Sequence, residues 1–198
     1  MQKHRIISFD LDGTLVDTNF DDLLWGQEIP RLYALEKKIS FEKAQEHCFN
    51  EFNRESEQSL NWYDIHHWLK HFEIMVSHEK IVSDLKHHIK TYPETVPVLK
   101  SLKQKDFELI VISNATRFFV ETKIEVDELR KYFTHIFSAT TDFKQVKGCG
   151  NTFECVCEKL GIKPQELTHV GDHLQFDYTL AKKAGVNAFY LDRSGKTK

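Results

Sequence analysis

The chain has 198 residues, of which 40% are hydrophobic, so it can bury one sizeable core or a core domain with a smaller companion. A formal net charge of −3 provides no basic stripe for nucleic acid, and we expect no nucleic-acid partner. The apolar run behind the charged N-terminal residues is too short for a signal peptide, and no run reaches the roughly 18 residues of a membrane span. We therefore expect a cytoplasmic protein that associates with no membrane.

The first predicted element is a buried strand, Ile6 to Phe9, that ends in Asp10 and Asp12. Gly13 allows a tight turn that brings both carboxylates towards one pocket at the carboxyl end of the strand. Two acids held that close repel each other unless a cation or a shared proton intervenes. A bound hard divalent ion such as Mg²⁺ is the simplest way to offset this repulsion. The alternative at this point is a solvated acidic turn that binds nothing.

Residues 18 to 91 show helical signals only. Apolar residues recur there at three- and four-residue intervals, among them Phe41, Phe49 and Phe52, which is typical of a helix-bundle core. Four helices are predicted: Asp21 to Lys38 with a kink or restart at Pro30, Ser40 to Glu55 with Ser40 as N-cap, Asn61 to Phe72, and Ser77 to Lys90.

From residue 92 onwards helices and strands alternate. The predicted helices are Pro93 to Lys105, a broken helix from Phe118 to Lys131, Gly150 to Leu160 and Phe176 to Ala184. The predicted strands are Phe107 to Ile112, His135 to Ser138, Leu167 to Val170 and Ala188 to Leu191. This alternation predicts a parallel sheet with right-handed crossovers, to which the first strand also belongs. The prediction is therefore an α/β core of residues 1–17 and 92–198, a helical insertion of residues 18–91, and a frayed tail from residue 194.

The four cysteines, Cys48, Cys149, Cys155 and Cys157, form no C-x-x-C pair. Neither a disulfide framework nor a structural zinc site is indicated. We expect reduced thiols.

Further polar residues follow the later strands. Ser113 and Asn114 end the second strand, where a hydroxyl and an amide can donate hydrogen bonds to a phosphate, although a helix-capping turn explains them equally well. Asp172 follows the fourth strand and suits metal ligation. Asp177 begins the next helix, where capping is the alternative to support of a metal or a lysine.

These residues resemble, in order, the motifs of the haloacid dehalogenase superfamily of phosphohydrolases. Asp10-Leu11-Asp12-Gly13-Thr14 matches its DxDGT motif, and Ser113 its second motif. Lys147 with Phe153 is similar to the third motif, although Gly148 stands where the family usually has proline and Lys144 competes for the role. Gly171-Asp172 with Asp177 is similar to the fourth. The resemblance implies a Rossmann-like α/β core with a parallel sheet and an inserted all-helical cap domain.

The resemblance also implies roles for single residues. Asp10 is the expected nucleophile and Asp12 the general acid and base. Mg²⁺ is expected to bind the Asp10 carboxylate, the Asp12 backbone carbonyl and Asp172. Asp177 is expected to support the metal or the lysine without ligating the metal directly. The expected contacts to the phosphate ester are Ser113, Asn114, Lys147 and Arg117, of which Arg117 has a helix-surface charge as its alternative role.

The implied activity is Mg²⁺-dependent hydrolysis of a small soluble phosphomonoester through an aspartyl-phosphate. Asp12 argues against dehalogenation, because dehalogenating members typically lack this acid. A sugar-phosphate mutase and a catalytically silent binding protein stay open as alternatives. The default oligomeric state is a monomer or a small homodimer. Candidates for contact with the leaving group lie in the insertion: Thr18, Asn19, Trp25, His66 and His67.

Overall fold

The computed structural model describes residues 5–193 and residue 195, so only Gly195 of the expected frayed tail is described. The chain divides into two compact units. One contains the chain up to Asp17 and from Thr91 onwards, and the other is Thr18–Lys90. The second limit differs by one residue from the boundary that the sequence suggests. Within the described ranges, no helix is both long and apolar enough to cross a membrane.

The first unit is built on a parallel sheet of five strands in the order β3-β2-β1-β4-β5. This arrangement confirms the predicted α/β class. The strands lie close to their predicted positions because each is a short apolar run, and β2 is buried from its second residue to its last. The strands are β1 (Ile6–Phe9), β2 (Glu108–Ser113), β3 (His135–Ser138), β4 (Leu167–Gly171) and β5 (Asn187–Tyr190).

The register of the sheet determines where the polar residues emerge. Phe9 lies opposite Val111 of β2 and Val170 of β4, so the three central strands end at the same edge. The chain moves outwards in one direction through β2 and β3 and in the other through β4 and β5. Ligands of open α/β sheets bind at the carboxyl edge where the strand order reverses in this way. Asp10, which follows β1, lies at that point.

The second unit is helical in its regular elements. α1 (Asn19–Leu23) continues through a π turn, Leu24–Glu28, into the second helix. The helix widens just before Pro30 because proline has no N–H to donate to the preceding turn. The predicted N-cap is confirmed, since Ser40 accepts a hydrogen bond from the Lys43 N–H. The other helices are α2 (Ile29–Lys37), α3 (Phe41–Glu55), α4 (Ile65–His71) and α5 (His78–Leu85).

The core of this unit is aromatic, with Trp68 and Phe72 almost fully buried. The prediction that Phe41 and Phe49 belong to the core is wrong, because they are 37% and 42% exposed. The buried stripe of α3 is instead Ala44, Cys48 and Phe52, one residue every turn. Phe41 and Phe49 lie on the neighbouring stripe.

The helices of the α/β unit include a short one, Ala139–Asp142, that was not predicted. The break predicted in the helix Phe118 to Lys131 is confirmed: the α-helix ends at Ile124 and a 3₁₀ segment, Val126–Tyr132, follows, in which Asp127 and Glu128 adopt left-handed backbone conformations. The last predicted helix, Phe176 to Ala184, begins earlier with a π-helical segment, Leu174–Thr179, and continues as the α-helix Leu180–Lys183. The helices are α6 (Thr95–Gln104), α7 (Arg117–Ile124), α8 (Ala139–Asp142), α9 (Thr152–Leu160) and α10 (Leu180–Lys183).

Candidate active site

The loop after β1 is held tightly against the loop after β4. Gly13 has φ +72°, and a Cβ on it would lie 2.2 Å from Oδ2 of Asp172, so only glycine fits here. The Thr14 hydroxyl donates a hydrogen bond of 2.9 Å to Oδ1 of Asp172. Arg193 donates to the carbonyls of Gly13 at 2.8 Å and Thr14 at 2.7 Å. The loop is thus fixed from both sides.

Lys147 lies at the centre of the charged groups. Its Nζ is 2.9 Å from Oδ1 of Asp10 and 2.6 Å from Oδ1 of Asp177, and its side chain is 2% exposed. Its backbone N–H donates a 2.8 Å hydrogen bond to the side-chain oxygen of Asn114. Lys144, in contrast, is exposed. The structure therefore places Lys147, and not Lys144, against the expected nucleophile.

Burial and mutual repulsion shift the acids of this group in different directions. Burial raises the pKa of Asp10 to about 8; Lys147 opposes this shift, while Asp177 and Asp172 add to it. Burial also raises the pKa of Asp172, against the hydrogen bond from Thr14. Burial alone would raise the pKa of Asp177, but Lys147 and His169 outweigh it and hold this pKa well below its usual range. For Asp10 and Asp172, burial therefore disfavours the ionised form on balance, even with Lys147 beside Asp10.

A buried network supports Asp177 and, through it, Lys147. Nε2 of His169 is 3.1 Å from Oδ1 of Asp177, and Nδ1 is 2.7 Å from the Ser8 hydroxyl. Burial lowers the pKa of His169, which favours the neutral ring. Because the Asp177 carboxylate only accepts hydrogen bonds, the neutral ring carries its proton on Nε2 and accepts from Ser8. Ser8, His169 and Asp177 are all fully buried.

The acidic groups fit a hard divalent cation. Asp10, Asp172 and Asp177 place carboxylate oxygens within 4.8 Å of one another. Both oxygens of Asp177 already have partners, since Oδ1 contacts Lys147 and Oδ2 accepts the His173 N–H at 2.9 Å. Asp10 and Asp172 are therefore the carboxylates suited to direct ligation, and Asp177 is suited to orienting the lysine.

Asp12 has a partner that the sequence reasoning did not anticipate. Its Oδ1 is 2.6 Å from Nζ of Lys123 on α7, and the two side chains are 26% and 2% exposed. Asp12 is not among the three carboxylates grouped above.

Ser113, Asn114 and Arg117 contribute differently from one another. The Ser113 side-chain oxygen accepts a hydrogen bond from the Ala115 N–H at 3.1 Å, as in a capping turn. The hydroxyl proton of Ser113 is the group that could donate to a phosphate. Asn114 holds the Lys147 backbone, as described above. Arg117 is engaged by Asp142, by Glu121 and by the Ile136 carbonyl. These contacts favour the alternative role for Arg117, an ion-paired residue that ties α7 to α8.

The candidates for leaving-group contact all lie in the helical unit. Thr18 donates to Asp22, and Trp25 packs edge-on against Phe52 at 6.0 Å. The His66 ring lies 4.1 Å from that of His78. Asn19 donates to the His88 carbonyl, and His67 packs against Trp68. Their role in binding a substrate stays a prediction.

Comparison with known proteins agrees with this arrangement. The sequence profile of the haloacid dehalogenase-like hydrolases matches residues 7–191, which include all four motifs of the site. The chain belongs to this family.

Relatives within the haloacid dehalogenase-like hydrolases are distant in sequence. The GMP/IMP nucleotidase YrfG of Escherichia coli is 22% identical over 166 residues, which are 84% of this chain and 73% of the relative. A crystal structure of a phosphatase of this family from Thermococcus onnurineus is 25% identical, has a TM-score of 0.86, and is matched over 98% of this chain and 89% of its own. The hydrolase YfnB of Bacillus subtilis, whose structure is described as bound to magnesium, has a TM-score of 0.71 at 18% identity and is matched over 98% and 92%. At the family level, this chain is a hydrolase that acts on phosphate esters.

Three residues of this haloacid dehalogenase-like site escaped the sequence reasoning, namely Lys123, His169 and Arg193. Thr14 belongs to a motif found in the sequence, but its contact to Asp172 was not anticipated. Lys123 and His169 leave a weak signal, because each is a polar residue at a position where the pattern expects an apolar one. Lys123 follows the helical stripe of Phe119 and Val120, and His169 interrupts a buried strand. Arg193 leaves no signal, since it acts on backbone carbonyls far away in sequence.

Proposed function

We propose that this chain is a Mg²⁺-dependent phosphatase that cleaves a small soluble phosphomonoester through an aspartyl-phosphate on Asp10. The observation that carries the proposal is the position of Asp10 at the carboxyl end of the central strand, with Lys147 at 2.9 Å and with Asp172 beside it. A carboxylate nucleophile next to a buried cation and a second metal-binding acid is the combination that phosphoryl transfer needs.

The reaction begins when the phosphate group binds near Lys147 and the Ser113 hydroxyl, which stabilise its oxygens. A carboxylate oxygen of Asp10 attacks phosphorus, and the bond from phosphorus to the leaving oxygen breaks. Asp12 gives a proton to that oxygen, and the alcohol departs. Asp12 then takes a proton from water as the water attacks phosphorus, which releases inorganic phosphate and restores Asp10.

The metal ion is assigned to the carboxylates of Asp10 and Asp172 and to the backbone carbonyl of Asp12. When bound, Mg²⁺ supplies positive charge that lets an anionic carboxylate approach an anionic phosphate. The raised pKa of Asp10 and that of Asp172 support this assignment, because the charge of Lys147 does not outweigh the effect of burial on either acid. The likeness to the magnesium-bound YfnB is consistent with it.

Substrate choice is assigned to the helical unit, Thr18–Lys90. In related enzymes an insertion at this point in the chain closes over the site and contacts the leaving group, which favours small esters over protein substrates. The nucleotidase relative makes nucleoside monophosphates one class to test, next to sugar phosphates and phosphorylated hydroxy acids.

The test is hydrolysis of p-nitrophenyl phosphate with Mg²⁺ and with EDTA, by the wild type and by Asp10→Asn. We expect turnover only with Mg²⁺, and a loss of about 10³-fold or more in the variant, because the amide is a poor nucleophile. Asp106→Asn, a change at an exposed residue of the same unit, is the matched control and should behave as the wild type. Turnover that survives in Asp10→Asn, or no turnover by folded wild type, would contradict the proposal. A requirement for a bisphosphorylated sugar would instead indicate a mutase.

A further inference from the structure

Lys123 is a buried charge in a place where packing alone favours an apolar residue. It lies on the inward face of α7 with Phe119, Val120 and Ile124, and it is 1% exposed. Removing an ammonium group from water costs several kcal/mol unless a partner offsets it. Its Nζ lies 2.6 Å from Oδ1 of Asp12, within the range of a charge-assisted hydrogen bond.

We propose that Lys123 is a positioning residue that fixes the Asp12 carboxylate for proton transfer with the leaving oxygen. This inference rests on the proposed phosphatase function. The lysine comes from a helix of the same unit and its Nζ lies 5.8 Å from the centre of the Phe119 ring, so its own position is well defined. A carboxylate held through one oxygen cannot rotate freely, and its other oxygen keeps one direction.

The Asp12 side chain is 26% exposed although its lysine partner is buried. The carboxylate is therefore anchored to Lys123 on its buried side, and its exposed side is accessible to solvent or substrate. A general acid works well only when it is within hydrogen-bond reach of the atom it protonates, so anchoring reduces the conformations that must be searched before each transfer. Without Lys123, we expect Asp12 to remain present but to occupy several orientations.

The identity of the leaving group separates this role from a structural one. A p-nitrophenolate ion leaves without help from an acid, whereas an alkoxide must be protonated as it departs. Loss of a positioned acid therefore slows alkyl esters much more than the nitrophenyl ester. Loss of general stability, or of a contact to the phosphate, affects both esters to a similar degree.

The experiment measures kcat/KM for p-nitrophenyl phosphate and for glycerol 2-phosphate with Mg²⁺ in the wild type and in Lys123→Met. Methionine keeps the length and apolar stem but removes the charge. We expect about a 10²-fold loss for the glycerol ester, in the lower range of general acid catalysis, and a loss at least about tenfold smaller for the nitrophenyl ester. If Lys123→Met does not fold, the same measurement is made with Lys123→Gln, which removes the charge but keeps a polar group.

A double-mutant comparison tests whether Lys123 acts through Asp12. In an Asp12→Asn background, Lys123→Met should cause no further loss with the glycerol ester, because the group it positions is gone. Equal losses for both esters, or a full additional loss in that background, would overturn the role of Lys123. Inactivity of folded wild type towards both esters would overturn the proposed function, and this inference with it.

Discussion

The raised pKa of Asp10 predicts that the metal-free protein loses stability as pH rises. In the unfolded chain this carboxyl ionises near 3.8, and in the folded chain near 8. Between these values the unfolded state has released the proton and the folded state has kept it, so the unfolded state binds fewer protons. The free energy of unfolding therefore falls with pH across this window and levels off above it. Asp10→Asn removes the effect.

The size of the effect follows from the shift. From the unfolded pKa of 3.8 to pH 7 is about three pH units, which correspond to ~4 kcal/mol as an upper bound, at ~1.4 kcal/mol per unit. The Asp10 side chain is 14% exposed, and Lys147 is 2.9 Å away. The lysine is already contained in the pKa of about 8, but water that reaches the carboxyl eases its ionisation further, so we expect about 1–2 kcal/mol between pH 5 and pH 8.

The assay is urea unfolding in EDTA at pH 5, 6, 7 and 8, with the wild type, Asp10→Asn and the control Asp106→Asn. The stability of Asp10→Asn relative to wild type should rise by that amount over the range, while the control stays level. Mg²⁺ at a hundred times its Kd should add ~2.7 kcal/mol to the wild type and clearly less to Asp10→Asn. A relative stability that is flat or falls with pH would refute the reasoning.

Two further predictions concern neighbours of the site. Thr14→Val removes the hydroxyl that donates to Asp172 at 2.9 Å, and Mg²⁺ affinity followed by calorimetry should fall about 10- to 100-fold; an unchanged affinity would show that this hydrogen bond does not orient the ligand. Gly148→Ala places a Cβ 2.2 Å from Cε1 of Phe176 and should cost about 1–3 kcal/mol in urea unfolding, whereas Gly26→Ala, whose Cβ meets nothing nearer than 3.9 Å, should cost nothing. Equal stability of the two alanine variants would contradict this.

The strands and the acids that end them could be predicted because both depend on local pattern. A short apolar run followed by Asp10, or by Ser113, indicates a buried strand and a polar edge without any knowledge of its neighbours. Parallel topology then brings the ends of such strands together. The sequence thus predicts which end of the sheet carries the chemistry.

The support of these acids could not be predicted, because it comes from tertiary contacts without a fixed spacing. His169 reaches Asp177 across the turn that follows β4. Lys123 reaches Asp12 from a helix that is 111 positions away in sequence. A lone polar residue in an apolar stripe is the only sequence signal of either. Arg117 shows the opposite case: its position near a motif suggested substrate binding, but its ion pairs with Asp142 and Glu121 favour the alternative, a helix-surface charge.

Glycine in place of the family's proline at position 148 suggests a less rigid lysine, but the contacts around Lys147 argue otherwise. The ring of Phe176 occupies the space that any Cβ at position 148 would need, so proline could not fit beside it. Phe176 is itself stacked on His173 at 4.0 Å and is 3% exposed. The lysine backbone is held by Asn114, and its Nζ by two carboxylates and a carbonyl. With glycine at position 148, this chain therefore fixes its lysine by packing and hydrogen bonds.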